Sequence, residues 1–181
     1  ATNVFHVTKR KISEILGTDL TVYWSGFYRS SPDLELHYDV VKFAEAVQNA
    51  AVEGDDAAIA LYQTSIGLYH GSFLSTMDQP WVDSRRGELA MTYAEALAGL
   101  ARIHSHHDRK ANALGCFLRA AATSPQREDI ARAIMELYRD LEQPQAALET
   151  FARLEETLQS ELQVSPAPQT VTLASQIRDM L

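Results

Sequence analysis

Acid–base, nucleophilic or metal chemistry in this 181-residue chain would have to come from six histidines, one cysteine and 24 carboxylates. Cys116 stands beside Phe117 inside a helical pattern, and no His or Asn lies in the arrangement of a thiol nucleophile. It therefore reads as a buried, inert thiol. His104, His106, His107 and Asp108 are residue types that ligate zinc or nickel, yet they crowd one interhelical turn without the spacing of a ligand set. One imidazole is expected to be structural and the others to point to water, so no metal is assigned. Glu155, Glu156 and Glu161 share a helix, but no base or nucleophile converges on them. The chain has no G-x-S-x-G, no phosphate-cradling glycine run, no H-E-x-x-H and no spaced cysteine pairs, and an enzyme is not expected.

The amino end suits a different chemistry. At 100° per residue, Asn3, His6, Arg10 and Ser13 fall opposite an apolar stripe, with Lys9 and Lys11 on the two flanks. In a DNA major groove such a helix would aim Asn3, His6, Arg10 and Ser13 at base edges and let the two lysines reach phosphates. Arg29, beside Tyr28, is a further candidate for a phosphate or minor-groove contact. The plain alternative is a solvated helix face. Charge is unevenly spread: residues 1–30 hold Lys9, Arg10, Lys11 and Arg29 against Glu14 and Asp19, while the whole chain carries −8. A locally basic end on an acidic body fits a nucleic-acid contact carried by a small element.

These side chains must be positioned by a folded scaffold, and composition supports one. With 46% hydrophobic and 22% charged residues, the chain is too apolar for a disordered tail and too charged for a membrane protein. No apolar run approaches the length of a transmembrane helix, the first twenty residues lack the apolar core of a signal peptide, and a single cysteine forbids an internal disulfide. The expected location is the cytoplasm. Because the chain opens with Ala inside a helical pattern, an upstream part is expected.

Phe5, Thr8, Ile12, Ile15 and Leu16 recur at three- and four-residue steps and Gly17 follows, which predicts a short amphipathic helix over 1–17. Leu20–Trp24 is rich in β-branched and aromatic residues, Ser25-Gly26 and Ser30–Asp33 read as turns, and Leu34–Tyr38 alternates as a half-buried strand would. From Asp39 onward the chain reads as amphipathic helices broken at Gly54, 71–80, 104–108, Ser124-Pro125, 142–144 and 165–168. Ala113, Phe117, Ala120 and Pro125 have the spacing of the second helix of a 34-residue tetratricopeptide repeat, with Leu97, Leu100, Ala101 and His104 in the first. A step of 34 places Ala147 under Ala113, Phe151 under Phe117 and Tyr138 under His104. In the later repeat Leu154 replaces the alanine and Gln159 the proline. An earlier pair at about 40–53 and 56–70 is expected to form a third hairpin. Phe73-Leu74 and Trp81 are expected to plug the step from that hairpin to the long helix starting near Trp81, burying about 150–250 Å² of indole.

Tyr69-His-Gly-Ser-Phe-Leu74, with Trp81-Val82, Arg86 and Leu89, resembles the bacterial transcriptional activator domain of regulators of the antibiotic regulatory protein (SARP) class. Pro125–Glu128, Met135–Tyr138, Ala147-Leu148 and Phe151 resemble that family's paired repeat, and Glu161–Thr170 its closing motif, with Gln163 where the family usually has glycine. The similarity covers about 39–181. It implies a mainly α fold of tetratricopeptide-like stacked helical hairpins, preceded over 1–38 by the last part of a winged helix-turn-helix. The recognition helix would be 1–17 and the wing 19–38, with Leu20–Trp24 and Leu34–Tyr38 as its strands and Gly26–Arg29 between them. The resemblance further implies a DNA-binding transcriptional activator without a cofactor. Its helical domain would dimerise and contact transcription machinery such as RNA polymerase components, setting the DNA-facing residues named above on double-stranded DNA. The competing expectation is a tetratricopeptide-like protein–protein interaction module with no DNA binding of its own.

Overall fold

The computed structural model describes residues 2–35 and 37–181, with side chains from Val4 onward. Contacts divide the chain into two units, Ala1–Tyr38 and Asp39–Leu181.

In the first unit, helix α1 (Thr2–Leu16) stops at Gly17, whose φ of 70° is the left-handed conformation that glycine adopts without a Cβ penalty. Strands β1 (Thr21–Trp24) and β2 (Phe27–Ser30) pair antiparallel, Tyr23 facing Tyr28 and Trp24 facing Phe27. The two-residue turn has positive φ at both Ser25 (48°) and Gly26 (86°). A tight hairpin needs this mirror-image geometry so that its twist matches the strands. The Ser31 N–H donates to the Leu20 carbonyl (2.9 Å), and a second turn closes from Leu34 N–H to the Ser31 carbonyl (3.2 Å). This corrects the sequence expectation for the ribbon. The partner of the first strand is Phe27–Ser30, and Leu34, Glu35, His37 and Tyr38 form no strand, Leu36 lying outside the described residues. Once Ser25 and Gly26 close a two-residue loop, Phe27 is already in register, and Ser31-Pro32 then turns the chain away.

The second unit is all helical: α2 (Asp39–Ala50), α3 (Asp55–Leu68), α4 (Pro80–His106), α5 (Lys110–Thr123), α6 (Glu128–Asp140), α7 (Pro144–Thr157) and α8 (Pro168–Arg178). A π-helical turn, Leu158–Leu162, follows α7. Among the described residues no helix is long and apolar enough to cross a membrane. Each expected break meets a junction between helices, although α4 runs on through His104 to His106, and α2 with α3 forms the third hairpin. The 34-residue repeat is present in the packing. Leu97, Leu100 and Ala101 are buried, as are Ala131, Ile134 and Met135 at the same step, and Ala113 and Phe117 match Ala147 and Phe151. Alanines let the paired helices approach while the phenylalanines fill the space between them, each ring worth about 2–3 kcal/mol when buried. Leu154, standing in for the later alanine, is buried against Ala131 and Leu158.

Side chains from distant elements lock the joints. Arg86 on α4 holds the 69–79 connection: its Nε donates to the Phe73 carbonyl (2.8 Å), Nη2 to the carbonyls of Met77 (2.7 Å) and Leu74, and Nη1 to Asp83 (2.7 Å). Leu74 there has a φ of 45°. Glu128 at the start of α6 accepts from the Ala167 N–H (2.8 Å) and the Thr170 hydroxyl (2.6 Å), and Arg132 donates to the same hydroxyl (2.8 Å). The closing motif is thereby tied down at the head of α8, where otherwise unpaired N–H groups need an acceptor. Glu95 on α4 feels burial that disfavours its charge, but hydrogen bonds from Arg102 and Arg127 (both 2.9 Å) outweigh it and hold the carboxyl below its ordinary range. Gln163, at the usual glycine position, has φ 56° and ψ 35°, so the left-handed turn is made without glycine.

Trp81 departs from expectation. It remains 57% exposed, edge-on to Phe73 at 6.4 Å between ring centres, because the Arg86 clasp rather than the indole secures this connection.

Candidate nucleic-acid interface

The first unit presents its polar face on α1 and the hairpin. Tyr28 on β2 organises it, its ring lying 4.9 Å from that of Phe5 and 5.0 Å from that of Tyr23 across the strand pair. The Tyr28 hydroxyl is hydrogen-bonded to His6 Nδ1 (3.1 Å), and Lys9 Nζ sits 5.3 Å from the ring centre. Such an ammonium–π contact steadies a long side chain without neutralising it. His6 and Lys9, expected from spacing to project freely, therefore lean on the hairpin while His6 stays exposed and Lys9 half-buried.

Arg10 is exposed and its Nε donates to Glu14 Oε1 (2.7 Å), one helical turn on, and this hydrogen bond raises the guanidinium pKa. Lys11 is exposed. Ser13 differs from expectation: it is half-buried, and its Oγ is shielded with no hydrogen-bond partner among the described residues. The side chain of Asn3 lies outside the described residues. Arg29 is exposed and stacks 5.8 Å from the Trp24 ring centre. His6, Lys9, Arg10 and Ser13 line one shallow groove with Glu14 and Asp19, which bring two carboxylates beside the cations. Lys9, Arg10, Lys11 and Arg29 are the four lysine and arginine side chains of this unit, and Tyr28 is the organiser that spacing missed. The facing of Tyr23 and Tyr28 across a two-residue turn was the signal for it.

The apolar stripe of α1 is only partly covered. Phe5, Thr8 and Ile12 border a hollow with Leu20 and Thr21, whereas Ile15 is 82% exposed.

In the second unit the candidate reactive groups separate. Cys116 is half-buried and burial pushes its thiol pKa up, away from nucleophilic use. His104 is buried, as one imidazole was expected to be, and burial lowers its pKa, with the nearby charges of Arg109 and His107 acting the same way. His106 is exposed, as expected, but its Nδ1 lies 3.9 Å from Asp55 Oδ2. His107 is instead bonded to Asp55, 2.8 Å from Nε2 to Oδ2, across 52 residues of chain.

Comparison with known proteins gives the family. The family described as the bacterial transcriptional activator domain matches residues 38–178. The regulatory protein AfsR of Streptomyces griseus is 29% identical over 174 residues, which are 92% of this chain and 18% of AfsR. The structure of Mycobacterium tuberculosis EmbR in complex with a low-affinity phosphopeptide superimposes with a TM-score of 0.72 at 18% identity, covering 99% of this chain and 50% of EmbR. The chain therefore spans half or less of either relative. The resemblance read from 69–89 and from the paired repeat is borne out, and so is the mainly α fold.

Proposed function

The chain belongs to the bacterial transcriptional activator domain family, and from that premise we propose that it is part of a DNA-binding transcriptional regulator of the SARP type. The helical unit mediates dimerisation and contact with transcription machinery, including RNA polymerase components. The first unit is the end of a winged helix, with α1 as recognition helix and the β1–β2 hairpin as wing. Asn3, His6, Lys9, Arg10, Lys11 and Arg29 face the duplex, Lys9, Lys11 and Arg29 on phosphates and Asn3, His6 and Arg10 nearer the base edges, whereas the shielded Ser13 hydroxyl makes no such contact. The protein acts in the cytoplasm and does no catalysis.

The observation that carries this reading is the exposed cationic set Arg10, Lys11 and Arg29, with Lys9 held over Tyr28, next in the chain to a matched activator domain. AfsR, a regulatory protein by its name, aligns across both units, which adds support.

The test is binding to a mixed-sequence duplex at two salt concentrations, with a Lys9/Arg10/Lys11→Ala variant alongside. Phosphate contacts predict affinity that falls steeply with salt, and loss of three contacts lowers the slope of log K against log salt by about 2–3. If neither protein binds at low salt, this stretch has no DNA-binding role of its own. The second reading, an interaction module, then stands on the groove of about 320 Å³ lined by Leu118, Ala121, Ile134 and Leu154.

A further inference from the structure

Helices α3 and α4 run antiparallel, Ala58 and Tyr62 packing on Ala96 and Leu100, so the first residue of α3 meets the last turn of α4. Asp55 opens α3 there. Opposite it, His106 ends α4 and His107 has already left helical geometry (φ −90°, ψ 17°), so two consecutive imidazoles reach the same carboxylate. His107 Nε2 is 2.8 Å and His106 Nδ1 3.9 Å from Asp55 Oδ2, and one ligand atom of each of the three residues lies within 4.8 Å of the others.

We propose that Asp55, His106 and His107 form a binding site for a divalent transition-metal ion of the zinc, nickel or copper class. Two imidazoles and one carboxylate are the donors such ions favour, whereas calcium and magnesium want oxygen-rich shells. Metal–ligand bonds of about 2.0–2.2 Å in a tetrahedron put ligand atoms about 3.3–3.5 Å apart. The two separations to Asp55, 2.8 and 3.9 Å, bracket that value and the third pair lies within 4.8 Å, so rotations about the side-chain torsions can close the set on an ion. All three residues are exposed, leaving further positions open to water or a partner's ligand. In the chain, Asp56 and Asp108 adjoin the cluster and favour a cation, while Arg109 and Lys110 oppose it, Lys110 being partly engaged by Asp108 at 3.8 Å. A bound ion clips the start of the α2–α3 hairpin to the end of α4, and by mass action it stabilises the folded chain.

The site is tested on the full chain, freed of metal with a chelator, by calorimetric titration with zinc chloride alone and by thermal unfolding with and without zinc. Expected are saturable binding of one ion per chain and a rise in Tm. Asp55→Asn, His106→Ala and His107→Ala should each weaken binding about tenfold or more, with unchanged circular dichroism, while His70→Ala binds as the unaltered chain does. Cobalt supplies a readout that needs no variant: visible bands of a four-coordinate ion support the site, and the spectrum of the hydrated ion overturns it. Absence of saturable zinc binding, or binding undiminished in Asp55→Asn, also overturns it.

Discussion

Asp108 and Glu142 lie one 34-residue step apart and share one backbone conformation, φ 55° and 59°. The bonds around them repeat as well. Arg109 N–H donates to the His104 carbonyl and Gln143 N–H to the Tyr138 carbonyl, both at 2.8 Å, and Asp108 and Glu142 N–H donate to the carbonyls of Ser105 and Arg139, both at 3.0 Å. The repeat thus extends to the hydrogen bonds of its turn, although neither turn residue is glycine. Left-handed geometry costs an ordinary residue about 1–2 kcal/mol. Replacing Glu142 with glycine removes that strain at a small entropic cost and should raise stability by about 1 kcal/mol. A higher urea midpoint with unchanged slope in chemical unfolding is the expected result; a lower midpoint would show that the Glu142 side chain contributes more than its strain costs.

Gly99 is required by a close approach. A Cβ built there would fall 2.9 Å from Tyr62 Cε1, with Cζ and the hydroxyl oxygen of that side chain closer still. Alanine favours a helix interior, but the overlap with the Tyr62 ring outweighs that preference, and Gly99→Ala should destabilise by about 1–3 kcal/mol. Adding Tyr62→Leu should return part of the loss. Thermal melts of the two single variants and the double variant measure the coupling, and simple additivity would mean that the ring can move aside.

His104 gives the fold an acid-sensitive element. Burial first, then Arg109 and His107, lowers its pKa, and its Nδ1 is buried with no hydrogen-bond partner among the described residues. Because the folded pKa lies below the unfolded value, the unfolded chain takes up the proton more readily. The stability contributed by neutral His104 is present above about pH 6.5 and is lost as pH falls through the folded value. His104→Phe, which keeps an aromatic ring where the next repeat has Tyr138, should therefore flatten the decline in stability below pH 6.5. Unfolding free energies measured across that range give the answer, and an unchanged slope would assign the decline to other groups.

Much of the helical unit was legible because its signals are local and periodic. Pro80, Pro144 and Pro168 start helices where proline is tolerated, and the 34-residue spacing of Ala113 and Phe117 with Ala147 and Phe151 marks the faces that pack. What escaped was non-local or conformational. Leu34–Tyr38 alternates like a strand, but the short turn at Ser25-Gly26 had already chosen Phe27–Ser30 as partner. Trp81 looked like core by type alone, whereas the three carbonyls gathered by Arg86 made its burial unnecessary. On α1, helical spacing located the polar face but not the hold of Tyr28 on His6 and Lys9, which depends on strand register. Asp55 could not be joined to the histidines by any local spacing, since 52 residues separate it from His107.

Helix α4 is 27 residues long, about twice its neighbours, and from Ala96 to Ala101 it is buried on every side. Ala96 and Leu100 belong to the core shared with α2 and α3, whereas Leu97, Ala98 and Ala101 belong to the core shared with α5 and α6. A rod of about 40 Å therefore forms one wall of two successive hairpins. In arrays of separate repeats, an end unit can fray while the rest stays folded. Here the first hairpin cannot detach without exposing the flank of a helix that the second still needs, so the two behave as a single cooperative unit and the array resists unravelling from that end.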